Sequence, residues 1–169
     1  MKRGLIGIFI LLMMIEIIGC SAQHTAYAAD KEKAAVMAAS KRFYIALNAM
    51  FTGDIKPMKE VWSHADDVTY MGPGGGLQVG WDDVLATWET QAAMKLGGEV
   101  KPSDMQIVVG RDIAVTSNYE KGNNTNIHGK VEEVFIRLTN TYRKENGQWK
   151  MIAHHTDLLP HLEKGVQNE

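Results

Sequence analysis

The sequence predicts an α+β fold in which three helices come first and a sheet follows. Apolar residues recur at helical spacing from about residue 30 to residue 94, and the period changes to strand-like alternation from residue 105 onward. Asn146-Gly147 separates the last two alternating runs, and this dipeptide is a strong hairpin signal because both turn residues adopt positive φ. Helices followed by a run of strands favour a curved, mostly antiparallel sheet with the helices packed on one face.

Three segments carry the signals of helices. The first is expected from Asp30, a good N-cap, to about Thr52, with Gly53 as its stop. A short second helix is expected over residues 55–62, opened by Lys56-Pro57. The third is expected over residues 81–94, before the breaker Gly97-Gly98, with one apolar stripe formed by Trp81, Val84, Leu85 and Trp88.

Five segments are predicted as strands, at residues 66–71, 105–109, 113–119, 131–142 and 149–159. Their separators are a glycine-rich turn at residues 72–76, the turn at residues 110–112, a polar loop at residues 121–126 and the Asn146-Gly147 turn. The glycine-rich segment lacks the Lys-Ser/Thr pair of a phosphate-binding loop, so a plain turn is the preferred interpretation.

Composition limits the classes of function. A length of 169 residues, with 45% hydrophobic and 22% charged residues, fits one globular domain. The formal charge of -2 and the pI of about 6.3 provide no basic excess that could neutralise phosphates. We therefore expect no nucleic-acid partner.

The first 28 residues resemble an export signal. Lys2 and Arg3 precede an apolar run at residues 5–15, which is shorter than the roughly 20 residues of a membrane-spanning helix and suits a secretory signal. Residues 17–20 resemble a bacterial lipobox ending in Cys20, whereas residues 26–28 form an A-x-A site for cleavage after Ala28. We favour the lipobox because Cys20 is the single cysteine of the chain and lies where a lipobox requires it.

The signal predicts an exported protein in the periplasm or cell envelope, anchored by a lipid at Cys20. The alternative is a chance cysteine in a cleaved segment. In either case the membrane is contacted only through the signal or the lipid anchor. Because the mature chain has no other cysteine, its stability must come from a packed core.

Several motifs together resemble the nuclear transport factor 2-like superfamily and, within it, the SnoaL-like group. They span residues 31–160, within an expected domain at residues 29–162 and before a tail at residues 163–169. The resemblance implies a cone-like fold with a cavity between three helices and the sheet. The superfamily also contains ketosteroid isomerases and kinase association domains, so the resemblance identifies no reaction. The matching motifs are WSHADDV at 62–68, GP at 72–73, GW at 80–81, RLT at 137–139, and GQW at 147–149 leading to His155 and Pro160.

One position departs from the ketosteroid isomerases. Those enzymes carry a catalytic aspartate directly before the proline that corresponds to Pro73, and this chain has Gly72 there. Moving a proton between two carbons requires a carboxylate at the substrate, which glycine cannot supply. Steroid isomerisation by that mechanism is therefore not expected.

Side chains alternate between the two faces of a sheet, so the two adjacent histidines at the end of the last strand are expected to point to opposite faces. With a regular hairpin, Leu138 lies opposite His155, which places His155 on the apolar face toward the cavity and His154 on the other face. His155 is then the candidate for ligand binding or acid/base catalysis, and a satisfied core histidine is the alternative. A single bulge would exchange the two faces.

The remaining site candidates each have a structural alternative. Arg137 could anchor an anionic ligand or pair with Glu132 or Glu133. The aromatic candidates for the cavity wall, which could equally be core residues, are Tyr70, Trp62, Trp81 and Trp88. Tyr70 or Asp67 could assist His155 in catalysis. We expect no metal, because neighbouring strand residues such as His154 and His155 cannot both reach one ion, and no cofactor.

Two functions follow from these candidates. The preferred hypothesis is a cell-envelope protein that binds a small apolar or weakly anionic molecule through His155 and Arg137. The alternative is a cofactor-free isomerase, cyclase or dehydratase that uses His155 as its acid/base group. The outer face of the sheet carries threonines, Ile152 and few charges, so we also expect a homodimer.

Overall fold

The computed structural model describes residues 28–126 and 128–157. The chain divides into two units after Ala34, and the described residues of the first unit, 28–34, are helical. The predicted signal sequence up to residue 27, including Cys20, and the predicted tail at residues 163–169 lie outside the described residues. The second unit, from Ala35 onward, contains the sheet and the buried core.

The described residues form three helices, close to the predicted segments. Helix α1 covers residues 28–50, α2 covers Lys56–Val61, and α3 covers Trp81–Met94, with the predicted bounds. Helix α3 ends before Gly97-Gly98, because Lys95 adopts the left-handed conformation at φ 47 and donates its N–H to the carbonyl of Ala92. In the described part of the chain, no helix has the length and apolarity needed to cross a membrane.

The described residues contain six strands, β1 Thr69–Met71, β2 Gln78–Val79, β3 Glu99–Val109, β4 Ile113–Thr125, β5 Val131–Glu145 and β6 Gln148–Asp157. They form one sheet in the order β2-β1-β6-β5-β4-β3. Four neighbouring pairs are antiparallel and β1 runs parallel to β6, so the sheet is mixed and the predicted orientation is confirmed only in part. The two residues of β2 pair with β1 and were not predicted as a strand.

Strands β3 and β4 are longer than predicted because a glycine allows a close approach between them. A Cβ on Gly122 would lie 1.9 Å from the carbonyl oxygen of Glu99, so only glycine fits there. Residues 121–125, which their polar composition assigned to a loop, instead pair with β5, and residues 121–123 also pair with β3 on the other side. Hydrogen bonding to two neighbouring strands therefore outweighs a composition typical of loops.

The β5–β6 hairpin has the predicted turn and an unpredicted bulge. Asn146 and Gly147 have φ values of 50 and 79, which confirms the turn. Tyr142 pairs with Met151 as expected, but the register then shifts by one residue, so Leu138 pairs with Thr156. The predicted pairing of Leu138 with His155 is therefore wrong, and the bulge exchanges the faces of the two histidines.

The core lies between the helices and the inner face of the sheet. Helix α1 presents a buried stripe at helical spacing, and α3 adds a second stripe. The inner face of the long strands completes the core with alternating residues. The main contributors are Val36, Phe43, Leu47 and Met50 from α1, Val84 and Trp88 from α3, and Ala114, Leu138, Tyr142, Trp149 and Met151 from the sheet.

Candidate functional site

A cavity of about 300 Å³ lies between the helices and the inner face of the sheet. Apolar and aromatic side chains from α1, α3 and the sheet form most of its wall. A small set of polar residues lines the same space, which is the usual composition of a small-molecule site. The polar and ionisable lining residues are Tyr70, Gln91, Glu120, Asn124, Glu133, His154 and Thr156.

Glu120 is the buried carboxyl group of this cavity. It belongs to the inward-facing series of β4, and only 3% of its surface is exposed. Burial raises the pKa of its carboxyl to about 7, although a hydrogen bond with Tyr44 acts in the opposite direction. Its Oε1 atom has no hydrogen-bond partner in residues 28–126 and 128–157. A carboxyl with this pKa can both give and take a proton near neutral pH.

His154 is the second ionisable group of the wall, and it is held neutral. Its Nδ1 lies 2.7 Å from Oδ1 of Asn140, and because this amide oxygen accepts, Nδ1 carries the proton. Burial lowers the pKa of the imidazole to about 3. The ring lies parallel to the Tyr70 ring at a centroid distance of 5.6 Å and also contacts Phe43 and Trp88. His154 is therefore a neutral aromatic group of fixed orientation.

Tyr70 brings a hydroxyl group to the same cavity from β1. Gln91 on α3 donates to this hydroxyl from Nε2 at a distance of 2.7 Å. Gly72 makes room for it, because a Cβ at that position would lie 2.2 Å from the Tyr70 hydroxyl oxygen. The position at which ketosteroid isomerases carry an aspartate is thus packed against the tip of Tyr70.

His155 lies on the face of β6 that is opposite to the cavity. It is partly buried, and its Nε2 is 3.0 Å from the hydroxyl of Thr69. Burial lowers its pKa, although neighbouring Asp157 acts against this shift. The prediction that His155 faces the cavity is therefore wrong, because the bulge gives that place to His154.

Arg137 and Asp67 also lie outside the cavity. Arg137 is on the outer face of the sheet, in a cleft that it shares with Tyr119 and Asp157. Asp67 is exposed and pairs with Arg143 at distances of 2.6 and 3.0 Å, and this hydrogen-bonded pairing lowers the pKa of its carboxyl. Neither residue is placed for the cavity role predicted for it.

Of the four aromatic candidates for the cavity wall, Tyr70 and Trp88 line the cavity, and their role in ligand binding stays a prediction. Trp62 is fully buried in the core and packs against Trp88 at a centroid distance of 6.2 Å. Trp81 begins α3, and its ring stacks on that of His64 at 4.3 Å. Trp62 and Trp81 therefore fit the alternative interpretation, in which these tryptophans are packing residues.

Glu120 was missed because the predicted strand ended at Tyr119, one residue before it. The inward positions Ala114, Thr116 and Asn118 alternate regularly, and extending β4 by one residue would have placed Glu120 on the same face. Gln91 was missed because helical spacing identifies apolar stripes but does not indicate the role of a single polar residue. His154 was missed because the residue types at positions 151–153 do not indicate a bulge.

We expect that replacing Asn140 with leucine lowers the free energy of unfolding by about 1–3 kcal/mol, because the buried N–H of His154 would lose its acceptor. Urea denaturation at pH 7 measures this loss. Thr139→Val, on the exposed face of the same strand, is the control and should change stability by less than about 0.5 kcal/mol. Equal stability of the two variants would contradict the assigned hydrogen bond.

Within residues 28–126 and 128–157, no three His, Cys, Asp or Glu side chains come together in a group that could hold a metal ion. The polar groups of the cavity wall are two carboxyls, a phenol, two amides, a hydroxyl and a neutral imidazole.

A fold in which α1 and α3 enclose a cavity against one face of a mixed sheet is that of the nuclear transport factor 2-like α+β proteins, and solved structures share it. One is a proposed dehydratase of that family from Streptomyces avermitilis, at 23% identity and a TM-score of 0.68, over 77% of this chain and 97% of that one. A proposed calcium/calmodulin-dependent kinase II association domain from Thiobacillus denitrificans has 25% identity and a TM-score of 0.59, over 73% and 94% of the two chains. A proposed ketosteroid isomerase from Shewanella frigidimarina has 18% identity and a TM-score of 0.57, over 70% and 90%.

The chain belongs to the SnoaL-like domain family, whose sequence model matches residues 36–158. This confirms the resemblance predicted from the motifs. No curated protein matches the chain. Because the structural relatives are distant, they establish the fold, and the function has to be argued from the cavity.

Proposed function

We propose that the protein binds a small, neutral and largely apolar molecule in the cavity between its helices and sheet. The observation that carries this proposal is the 300 Å³ space whose wall contains Glu120 with an unpartnered carboxyl oxygen. Unpartnered polar atoms in an otherwise apolar wall are the positions at which a ligand gains orientation and specificity.

The electrostatics of the wall favour a neutral ligand over an anionic one. The ionisable lining residues are two carboxyl groups, a phenol and a histidine that stays neutral. An anion in this cavity would be repelled by Glu120 as it ionises. Arg137, which supported the expectation of a weakly anionic ligand, lies on the outer face.

A thermal-shift screen of neutral aromatic and alicyclic metabolites tests the binding proposal, with three proteins in parallel. Wild type and His155→Ala should respond alike, because His155 faces away from the cavity. Val134→Trp, which places an indole in the cavity wall, should lose the response. Compounds that stabilise all three proteins equally would show that binding occurs elsewhere.

A second candidate function is a cofactor-free isomerase, cyclase or dehydratase in which Glu120 takes the acid/base role first assigned to His155. The pKa of about 7 favours this function, because an acid/base group works best when its pKa is near the operating pH. Once a substrate is found, Glu120→Gln should lower kcat by about 10²-fold or more. An unchanged kcat would show that Glu120 is not the acid/base group.

We also propose a homodimer formed through the outer face of the sheet. Phe135 and Tyr119 stack there at 5.3 Å, and Phe135 is 51% exposed. The face also carries both signs of charge, which suits the self-complementary contact of a two-fold dimer. Arg137 and Asp157 line one cleft there, and Lys121 forms an ion pair with Asp104 at 3.6 Å.

Phe135→Asp is expected to convert a dimer into a monomer, because it places a charge in the centre of the proposed contact. Light scattering after size-exclusion chromatography gives the mass. The control is Leu77→Asp, which introduces the same charge at a similarly exposed apolar residue in the loop before β2. A monomeric wild-type protein, or a Phe135→Asp variant that remains dimeric, would refute this interface.

Finally, we propose that the protein is exported and anchored at Cys20. The support is the charged start, the short apolar run and the position of the single cysteine. Cys20→Ala is expected to release the protein from the membrane fraction and from the detergent phase in phase partitioning. Unchanged membrane retention of this variant would exclude the lipid anchor.

A further inference from the structure

The cavity contains a hydrogen-bond donor whose direction is set by its neighbours. The Tyr70 hydroxyl accepts from Gln91, and this is its one hydrogen bond among the described residues. A phenol that already accepts on its oxygen still has its own O–H to donate. The Tyr70 hydroxyl lies against Gly72, where a side chain would collide with it. Gln91 and Gly72 together thus hold Tyr70 as a donor.

The acceptor in the same wall is Glu120. Its Oε1 lacks a partner within the described chain, and Glu120 lines the same cavity as Tyr70. Burial raises the pKa of the Tyr70 phenol, and the charge of Glu120 raises it further, so the hydroxyl keeps its proton. Trp88 adds a second donor to the wall, because its buried Nε1 also lacks a partner.

We propose that the cavity selects a neutral molecule with two polar ends, a carbonyl or ether oxygen that accepts from Tyr70 and a hydroxyl or N–H group that donates to Glu120. Gln91 and Gly72 are positioning residues in this arrangement, since they act through Tyr70. The inference rests on the proposed binding function and specifies the chemistry of its ligand. A hydrocarbon of the same shape would leave both Tyr70 and Glu120 unpaired, and burying unpaired polar groups is costly.

A series of isosteric probes tests this inference. Acetylbenzyl alcohol has both polar ends, ethylacetophenone keeps only the acceptor, and ethyl-isopropylbenzene has neither. The para and meta isomers of each sample two spacings. Isothermal titration at pH 7 should give, for one isomer of the alcohol, a Kd at least about tenfold lower than that of the hydrocarbon, the ratio expected for one well-made hydrogen bond.

The variants separate the donor from the residues that position it. Tyr70→Phe keeps the ring and removes the hydroxyl, so the preference for ethylacetophenone over the hydrocarbon should disappear. Gly72→Ala displaces the Tyr70 hydroxyl and should have the same effect, whereas Gly74→Ala, where a Cβ meets nothing within 4 Å, should not. Gln91→Glu should also remove the preference, because a carboxylate would accept the Tyr70 proton. Circular dichroism confirms that each variant is folded.

The outcomes distinguish this inference from the binding proposal. If the hydrocarbon binds wild type as tightly as the alcohol, the cavity binds ligands but the two-ended selection is wrong. If the preference for the ketone survives in Tyr70→Phe, the donor is not Tyr70 and the inference is overturned. If no probe binds at millimolar concentration, the inference and the proposed binding function both fail.

Discussion

Glu120→Gln is expected to stabilise the protein at pH 8 while removing the buried carboxyl group of its cavity. A rise in the carboxyl pKa from 4.5 to about 7 means that the folded state keeps a proton that the unfolded chain releases. At about 1.4 kcal/mol per pKa unit, the ionised form costs the folded protein about 3 kcal/mol. Glutamine fills similar space and never ionises, so the variant avoids that cost.

The pH dependence of this effect has a definite sign. Below pH 4.5 both states of wild type carry a protonated Glu120, so the variant has no advantage. Between pH 4.5 and about 7 the stability that Glu120 contributes falls as the pH rises, and above that range the loss is complete. Urea denaturation at pH 4.5 and pH 8 should therefore give a variant advantage near zero at pH 4.5 and of about 2–3 kcal/mol at pH 8.

Glu133→Gln is the matched control for this prediction. Glu133 lines the same cavity but is exposed, so the same chemical change should alter stability by less than about 0.5 kcal/mol at either pH. In wild type and in both variants, the contribution of His154 to stability has the opposite pH dependence. Its lowered pKa means that its contribution to stability falls as the pH drops below 6.5. A Glu120→Gln variant that is less stable than wild type at pH 8 would contradict the assigned burial.

Gly122→Ala is expected to cost about 3 kcal/mol or more, as overpacking against a rigid backbone does. The added Cβ would lie 1.9 Å from the Glu99 carbonyl oxygen and 2.8 Å from Cα of Val100, so β3 and β4 would have to separate. Both contact atoms belong to the backbone of a paired strand, so neither can rotate away. The loss should appear as a lower midpoint of urea denaturation.

Gly74→Ala is the control for the glycine substitution. Its Cβ would meet nothing within 4 Å, so the change in stability should stay within about 0.5 kcal/mol. Comparable losses in the two variants would mean that backbone freedom, rather than the close approach of the strands, explains the glycine at position 122. Because Gly122 lies two residues from Glu120, we also expect Gly122→Ala to weaken probe binding.

Sequence patterns predicted the parts of the fold that depend on local periodicity. The bounds of α3 and the Asn146-Gly147 turn follow from helical spacing and from the conformational needs of two residues. The extension of β4 and the strand β2 could not be predicted in this way, because partner strands determine them. The parallel pairing of β1 with β6 could not be predicted from local patterns either, because it is a tertiary contact that joins Thr69 to Ala153.

The site was harder to predict than the fold for the same reason. Tyr70 and Trp88 were found because their residue types are frequent in cavity walls. His155 was chosen over His154 because alternation was counted through a strand that contains a bulge. One irregular residue reverses every assignment beyond it, so periodicity decides the face of a residue only as far as the next irregularity.

The parallel pairing of β1 and β6 also affects how the molecule assembles. The antiparallel meander from β3 to β6 joins neighbours in the chain, whereas β1 must find a strand 84 positions away, as in Tyr70 and His154. Closing such a long loop is slow compared with forming a hairpin. Strand β6 is also the last strand that the structure describes, and therefore the last of these strands to leave the ribosome. Tyr70 can meet His154 only after that, so we expect the ligand cavity to be a late product of folding, formed when β1 docks on a preassembled sheet.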